Sequence, residues 1–230
     1  MQRGNMNAED SVPIMSRTVT LRYFVPEDAP KVFVMSQESG MRTWLPDQVY
    51  ESEARAVEVL RDLIERYRDP GTPSLAPYVL GVCRSDSGEL IGHVGLSPLN
   101  GRTEVGYAIE QRSQGNRLAS QAVKAMSEWA LTRFALPRVL GIVATDNGAS
   151  CKVLQYAGFE LIEESMGRLH GRHRLVRTYE KASLAAKEPG RDHVWEEGNW
   201  RGNDPVADRD GGARGSSLHR DERRDGSPSA

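Results

Sequence analysis

Between Tyr78 and Phe134 the order of local signals leaves few folds open. Tyr78 to Arg84, Glu89 to Leu96 and Thr103 to Ile109 read as three strands in quick succession. Ser85-Asp86-Ser87-Gly88 and Ser97-Pro98-Leu99-Asn100-Gly101 supply turn chemistry at the two corners, so the strands form a meander. The loop Arg112-Ser113-Gln114-Gly115-Asn116-Arg117-Leu118-Ala119-Ser120 follows at once. A helix then runs from about Asn116 to Phe134, with Leu118, Ala119, Ala122, Val123, Met126, Trp129, Ala130 and Phe134 on a wide apolar stripe. Beyond Pro137, Val139 to Ala144 is apolar almost throughout, the mark of a strand covered on both faces.

The flanking segments complete the pattern. Thr18 to Tyr23 alternates as a strand, and Pro26-Glu27-Asp28 opens a helix, since Pro is tolerated in a first turn and acids there suit the dipole. Ser52 is placed as the N-cap of a second helix with Val57, Leu60, Ile64 and Tyr67 on one stripe. Asn147 begins a short helix that Gly158 ends. Phe159 to Glu163 and Leu175 to Tyr179 read as a last pair of strands, a hairpin around residues 167–173. The expected fold class is α/β: a mixed sheet with helices on its faces. Residues 1–16 are expected to be a flexible leader, 17–182 a single folded domain, and 183–230 a disordered tail too poor in aliphatics to offset its ordering entropy. Within that tail Trp195 to Trp200 reads either as a docking motif or as two tryptophans without a partner.

Charge and cysteine content narrow the function. Thirty Lys and Arg against 32 Asp and Glu give a net charge of −2, which makes no electrostatic case for nucleic acid or an anionic membrane. No apolar run approaches the roughly 20 residues of a membrane helix, and the first residues lack the apolar core of a signal peptide. Cys83 and Cys151 make neither a disulfide framework nor a zinc site, and no metal is expected. The compartment expected from this is reducing and cytoplasmic.

A strand, a glycine-containing turn and a helix together can hold an anion. The first N–H groups of a helix have no partner within it, and the helix adds roughly half a positive charge there. Gly115 offers close approach and positive φ, and Arg112 and Arg117 bring side-chain charge. An ordinary strand-to-helix turn with a solvated cap fits the loop equally well, and neither the dinucleotide nor the P-loop glycine pattern is present.

The stretch VATDNGASCKVLQYAGF at 143–159 changes that balance, because it resembles the GNAT superfamily of acyl-CoA-dependent N-acetyltransferases. Arg112 and Gly115 match the superfamily's Arg/Gln-x-x-Gly-x-Gly/Ala signature, and Asn147-x-x-Ser150 with Gly158-Phe159 resembles its second signature. LIGHVGL and TEVGYAI resemble its paired strands, and MRTWLPDQVYESEARAVEVL resembles the early helices of the RimJ/RimL branch, which acetylates ribosomal-protein N-termini. The likeness covers nearly all of residues 18–180. It implies a splayed central sheet flanked by helices and acetyl-CoA as co-substrate. One departure is Arg117, where the family has Gly or Ala; Arg there is expected in a helical backbone setting, with its main-chain N–H or its guanidinium serving the phosphate.

The resemblance also implies site residues. Backbone near Ile109 meets the pantetheine arm and the oxyanion. Arg112, Gln114, Gly115, Asn116, Arg117, Leu118 and Ala119 cradle the pyrophosphate, and Asn147 holds the pantetheine or caps its helix, or both. Glu104 is the candidate base for the amine's proton, through water, or else a strand-surface carboxylate. His93, on the neighbouring strand, is expected to titrate in the useful range and to assist or shape the amine pocket, or to be a hydrogen-bonded strand histidine. Ser150 is the candidate hydrogen-bond donor to the leaving sulfur. The family's usual tyrosine acid is absent, since Leu154 holds its place and Tyr156 is expected only to pack. Cys151 is expected to be buried packing. Trp44, Leu45 and Tyr50, with the 168–173 hairpin, should rim the acceptor pocket. The acceptor is then a primary amine, on a peptide N-terminus or a small molecule; a catalytically silent acyl-CoA-binding module stays open beside both. Family members include monomers and homodimers.

Overall fold

The computed structural model describes residues 12–69 and 71–187. The tail beyond 187, including Trp195 to Trp200, lies outside the described residues. The strands are β1 (Ile14–Met15), β2 (Val19–Arg22), β3 (Tyr78–Arg84), β4 (Leu90–Leu99), β5 (Arg102–Ile109), β6 (Arg138–Ala144), β7 (Glu160–Leu169) and β8 (Arg172–Ala182). The helices are α1 (Ala29–Ser36), α2 (Ser39–Trp44), α3 (Glu53–Arg66), α4 (Leu118–Arg133) and α5 (Gly148–Tyr156). All eight strands form one sheet in the order β1-β2-β3-β4-β5-β6-β8-β7. Neighbours are antiparallel except β5 and β6, which run parallel because α4 carries the chain back between them.

The local signals explain most of the elements. Ser52 accepts a hydrogen bond from the Arg55 N–H and so caps α3. Asn147 does the same for α5 through the Ser150 N–H. The apolar stripe of α4 packs with Val19, Leu80, Val94, Val105, Val139 and Tyr179 on one sheet face, where α5 adds Cys151 and Leu154. On the other face α1 and α3 enclose Phe24, Val32, Met35, Leu60 and Leu90. Val57 stays exposed because Ala56, one position earlier on α3, takes the inward place.

Four expectations change. Ile14 and Met15 pair with Leu21 and Thr20, and Val12 and Ile14 pack on the core, so the folded part begins inside the expected 1–16 leader. Two residues are too few for a periodicity signal, and only the partner strand makes them a strand. The last hairpin is longer than read, with only His170 and Gly171 between β7 and β8, both at positive φ, the two-residue turn that suits strand twist. The described residues run past the expected domain end at 182, and Leu184–Lys187 makes a short 3₁₀ turn inside the expected tail. The helix of the glycine loop starts at Leu118, not near Asn116.

Candidate active site

The site begins where the sheet comes apart. β5 and β6 pair only at Glu104 opposite Leu140, although β5 continues to Ile109 and β6 to Ala144. Past that point the two strands leave a split. The N–H of Glu110 bonds Ile91, and Ala108 lies opposite His93 in the alternate register, so the backbone groups of Tyr107 and Ile109 point away from β4 and into the split. The Ile109 carbonyl is taken by the Gln114 side-chain amide at 2.8 Å. Across the split stands the first turn of α5 with Asn147 and Ser150, whose hydroxyl makes no hydrogen bond to another described residue.

The glycine loop lies at the end of β5. Gly115 has φ +83°, and a Cβ there would meet nothing within 4 Å. Among the described residues no partner accepts from the backbone N–H groups of residues 115–119, and α4 has no side-chain cap. Those free donors and the open side of Gly115 fit a diphosphate. Arg117 is not helical: it is the N-cap of α4 at φ 57°, ψ 16°, the left-handed region that favours glycine. A Gly at this position, one of the two residues expected there in the family, now has a backbone reason; an Ala has none. The Arg117 guanidinium lies 4.6 Å from the ring centre of Tyr156, which is 58 % exposed, so the packing this tyrosine provides is at the surface. Arg112 is drawn away from the cradle, with its guanidinium on Glu110 at 2.9 Å and on Glu89.

Glu110 was not singled out in the sequence. Its carboxylate is nearly fully buried and accepts from Lys31 Nζ at 2.5 Å, Ser113 Oγ at 2.8 Å and Arg112 Nε. Burial pushes its pKa up, but these three donors outweigh it and leave the group below its ordinary value. The acid-then-arginine spacing just before the loop was a visible signal; Lys31, 79 residues away, gave none.

Glu104, Gly106 and Ala108 share one sheet face, with Ser97, Gly95 and His93 opposite them on β4. Burial pushes Glu104 up to about 7, with the backbone of Ile142 favouring the charged form. Burial drives His93 down to about 4, so it is neutral near pH 7 and does not titrate in the range expected. His93 and Glu104 lie four positions apart along the strands, roughly 13 Å, too far to share a proton. A Cβ at Gly106, between them, would meet nothing within 4 Å, which leaves room for water.

A pocket opens on that face against α1 and α2, lined by Met35, Glu38, Met41, Tyr50, His93 and Ala108 among others. Of the residues expected to rim it, Tyr50 lines the pocket; the hairpin lies against the end of α2 and the chain after it, with His170 Nδ1 2.6 Å from Asp47 and the Arg174 guanidinium 5.5 Å from the ring centre of Trp44. Tyr107, whose hydroxyl bonds the Ser150 carbonyl, and Glu38, which lines the pocket, were not singled out in the sequence. The alternation of TEVGYAI, which sets Tyr107 beside Val105 and Ile109, could have pointed to the first.

Comparison with known proteins agrees with this geometry. The acetyltransferase (GNAT) domain model matches residues 18–160. The uncharacterized N-acetyltransferase YoaA of Bacillus subtilis is 26% identical over 143 residues, covering 61% of this chain and 78% of that protein. The ribosomal-protein-S5-alanine acetyltransferase of Vibrio fischeri superposes with a TM-score of 0.63 at 19% identity, over 77% of this chain and 100% of that one. The ribosomal L7/L12 α-N-protein acetyltransferase RimL, solved with coenzyme A, gives 0.60 at 19% identity, over 76% and 99%. At these identities the two structures speak for the fold, and the domain match speaks for the family. With a split sheet, a glycine loop of free amides and that match in hand, the chain belongs to the GNAT acetyltransferase family and is an N-acetyltransferase that uses acetyl-CoA.

Proposed function

We propose that the protein moves an acetyl group from acetyl-CoA to a protein N-terminal α-amine by direct attack, with both substrates bound. The observation that carries the reading is Glu104, a carboxyl held at about 7 by burial where the split begins. A base near the working pH combines enough ionised form with enough proton affinity. Glu104 takes the proton of the attacking amine through water over Gly106. The nitrogen–carbon bond forms as the carbon–sulfur bond breaks, and the Ser150 hydroxyl donates a hydrogen bond to the leaving sulfur. The split-facing N–H groups of β5 offer the oxyanion its donors. The free amides of residues 115–119 hold the pyrophosphate, with Asn147 keeping the first turn of α5 in place. His93 serves as a neutral wall of the amine pocket.

Two observations favour a chain end as acceptor. The Asp47–His170 and Trp44–Arg174 contacts tie the hairpin to the chain leading from α2 to Gln48, which lines the pocket, and a wall held that way suits a slim chain carrying its amine at the tip. Glu38 lines the pocket, and its carboxylate, which accepts from the Gln111 N–H at 2.8 Å, adds negative charge that favours an incoming ammonium. The names of the two ribosomal-protein acetyltransferases add to this.

Thiol release from acetyl-CoA tests the reading with three acceptor sets: peptides with free α-amines, the same peptides blocked at the α-amine but with a free lysine, and small-molecule amines. Release with the first set alone is expected. Release confined to small amines refutes the α-amine assignment, and tight acetyl-CoA binding without any turnover points to a silent binding module.

A further inference from the structure

Among the described residues, one side-chain hydrogen bond joins β5 to α5 across the split. The Tyr107 hydroxyl donates to the Ser150 carbonyl oxygen at 3.1 Å. Tyr107 stands three positions past the last β5–β6 pairing, at Glu104, or roughly 10 Å further along the strand. There the ladder no longer sets the distance between the two sides. Its ring is half-buried against the main core. Burial holds its pKa far above the ordinary range, so the phenol stays a neutral donor at any working pH. The acceptor is the third residue of α5, in the turn that Asn147 caps from the other side. Two bonds therefore fix that turn: the Asn147 cap within the helix and the Tyr107 phenol from the opposite strand.

We propose that Tyr107 is a positioning residue for acetyl transfer: its phenol sets the width of the split and holds the α5 turn so that the Ser150 hydroxyl meets the departing sulfur. The inference rests on the role assigned to Ser150 above. It also accounts for a phenol at this site although the family's tyrosine is replaced by Leu154, which is fully buried in the core. Here the phenol comes from the strand and acts through the helix rather than on the sulfur itself.

The test is a double-mutant cycle on the full chain with Tyr107→Phe and Ser150→Ala, both preserving the core. Tyr107→Phe should lower kcat about tenfold, the worth of one hydrogen bond expressed only in the aligned site, with the KM for acetyl-CoA little changed. In the Ser150→Ala background the same change should cost nothing further, because the group it positions is gone. Amide hydrogen exchange across 150–153 should speed up in Tyr107→Phe with or without turnover. Unchanged kcat or unchanged exchange in Tyr107→Phe overturns the proposal, as do losses that simply multiply in the double variant. A Ser150→Ala protein with full activity overturns the Ser150 assignment itself and this inference with it.

Discussion

Replacing Glu104 with glutamine should make the protein both slower and, above neutral pH, more stable. A carboxyl moved from 4.5 to about 7 by burial binds its proton more tightly in the folded chain than in the unfolded one. Its contribution to stability is therefore full below about pH 4.5 and lost as pH rises through about 7. The whole window is worth roughly 3.4 kcal/mol at about 1.36 kcal/mol per pH unit. Between pH 5.5 and 8.5 the loss is about 2 kcal/mol, an upper figure because the side chain keeps some contact with solvent. Glutamine fills the same space without a charge to bury. Urea unfolding followed by tryptophan fluorescence, at pH 5.5, 7 and 8.5, reads the difference directly. The gap between Glu104→Gln and the parent should shift by up to about 2 kcal/mol in favour of the variant across that range. In parallel, kcat/KM of the parent should rise with pH through about 7, while the variant stays low and flat over the same interval. Parallel stability profiles for the two proteins would show that burying Glu104 costs nothing, and the argument from burial to basicity would fall with it. An unchanged rate profile in the variant would remove Glu104 from the chemistry.

Three further outcomes are expected. Arg117→Gly should unfold at higher temperature than Arg117→Ala by the equivalent of about 1 kcal/mol, reversing the usual helix ranking, because position 117 is left-handed; equal melting temperatures would contradict that backbone. Gly115→Glu should weaken acetyl-CoA binding more than tenfold by calorimetry, an order-of-magnitude expectation from a like charge in an anion cradle, while thermal unfolding shows the fold intact; unchanged affinity rules out the cradle. Lys31→Met should destabilise the protein by about 1–3 kcal/mol in urea, less than a fully broken buried pair because Arg112 and Ser113 still hold Glu110; since Glu110 lies below its ordinary value, the loss should be present at pH 7 and fade as pH falls through the carboxylate range.

The elements legible in the sequence are those held by neighbours in the chain. β3 occupies the residues read from its pattern, and the caps of α3 and α5 are single hydrogen bonds spanning three residues. The stripe of α4 was read from its own periodicity and packs as read. β1 was invisible because two residues become a strand only through pairing with β2. The backbone of Arg117 was misread because helix propensity describes the interior of a helix, whereas this residue is the turn that starts one. Arg112 was assigned to the phosphate from its charge and the resemblance, and its guanidinium lies on Glu110 and on Glu89, 23 residues earlier, a contact no local pattern announces.

By itself the sequence determined that this is a mixed α/β chain with a glycine loop between a strand and a long helix, along with the resemblance that names its cofactor. Those depend on periodicity, turn chemistry and spacing, which act over a few residues. Only the tertiary structure decided what the groups of the site can do. The parting of β5 and β6 creates the split. Burial sets Glu104 near 7 and His93 near 4, though both began as ordinary strand residues in the text of the chain. The Tyr107–Ser150 bond spans 43 residues. Desolvation and long-range contact depend on what the rest of the chain packs around a group, and no local pattern carries that information.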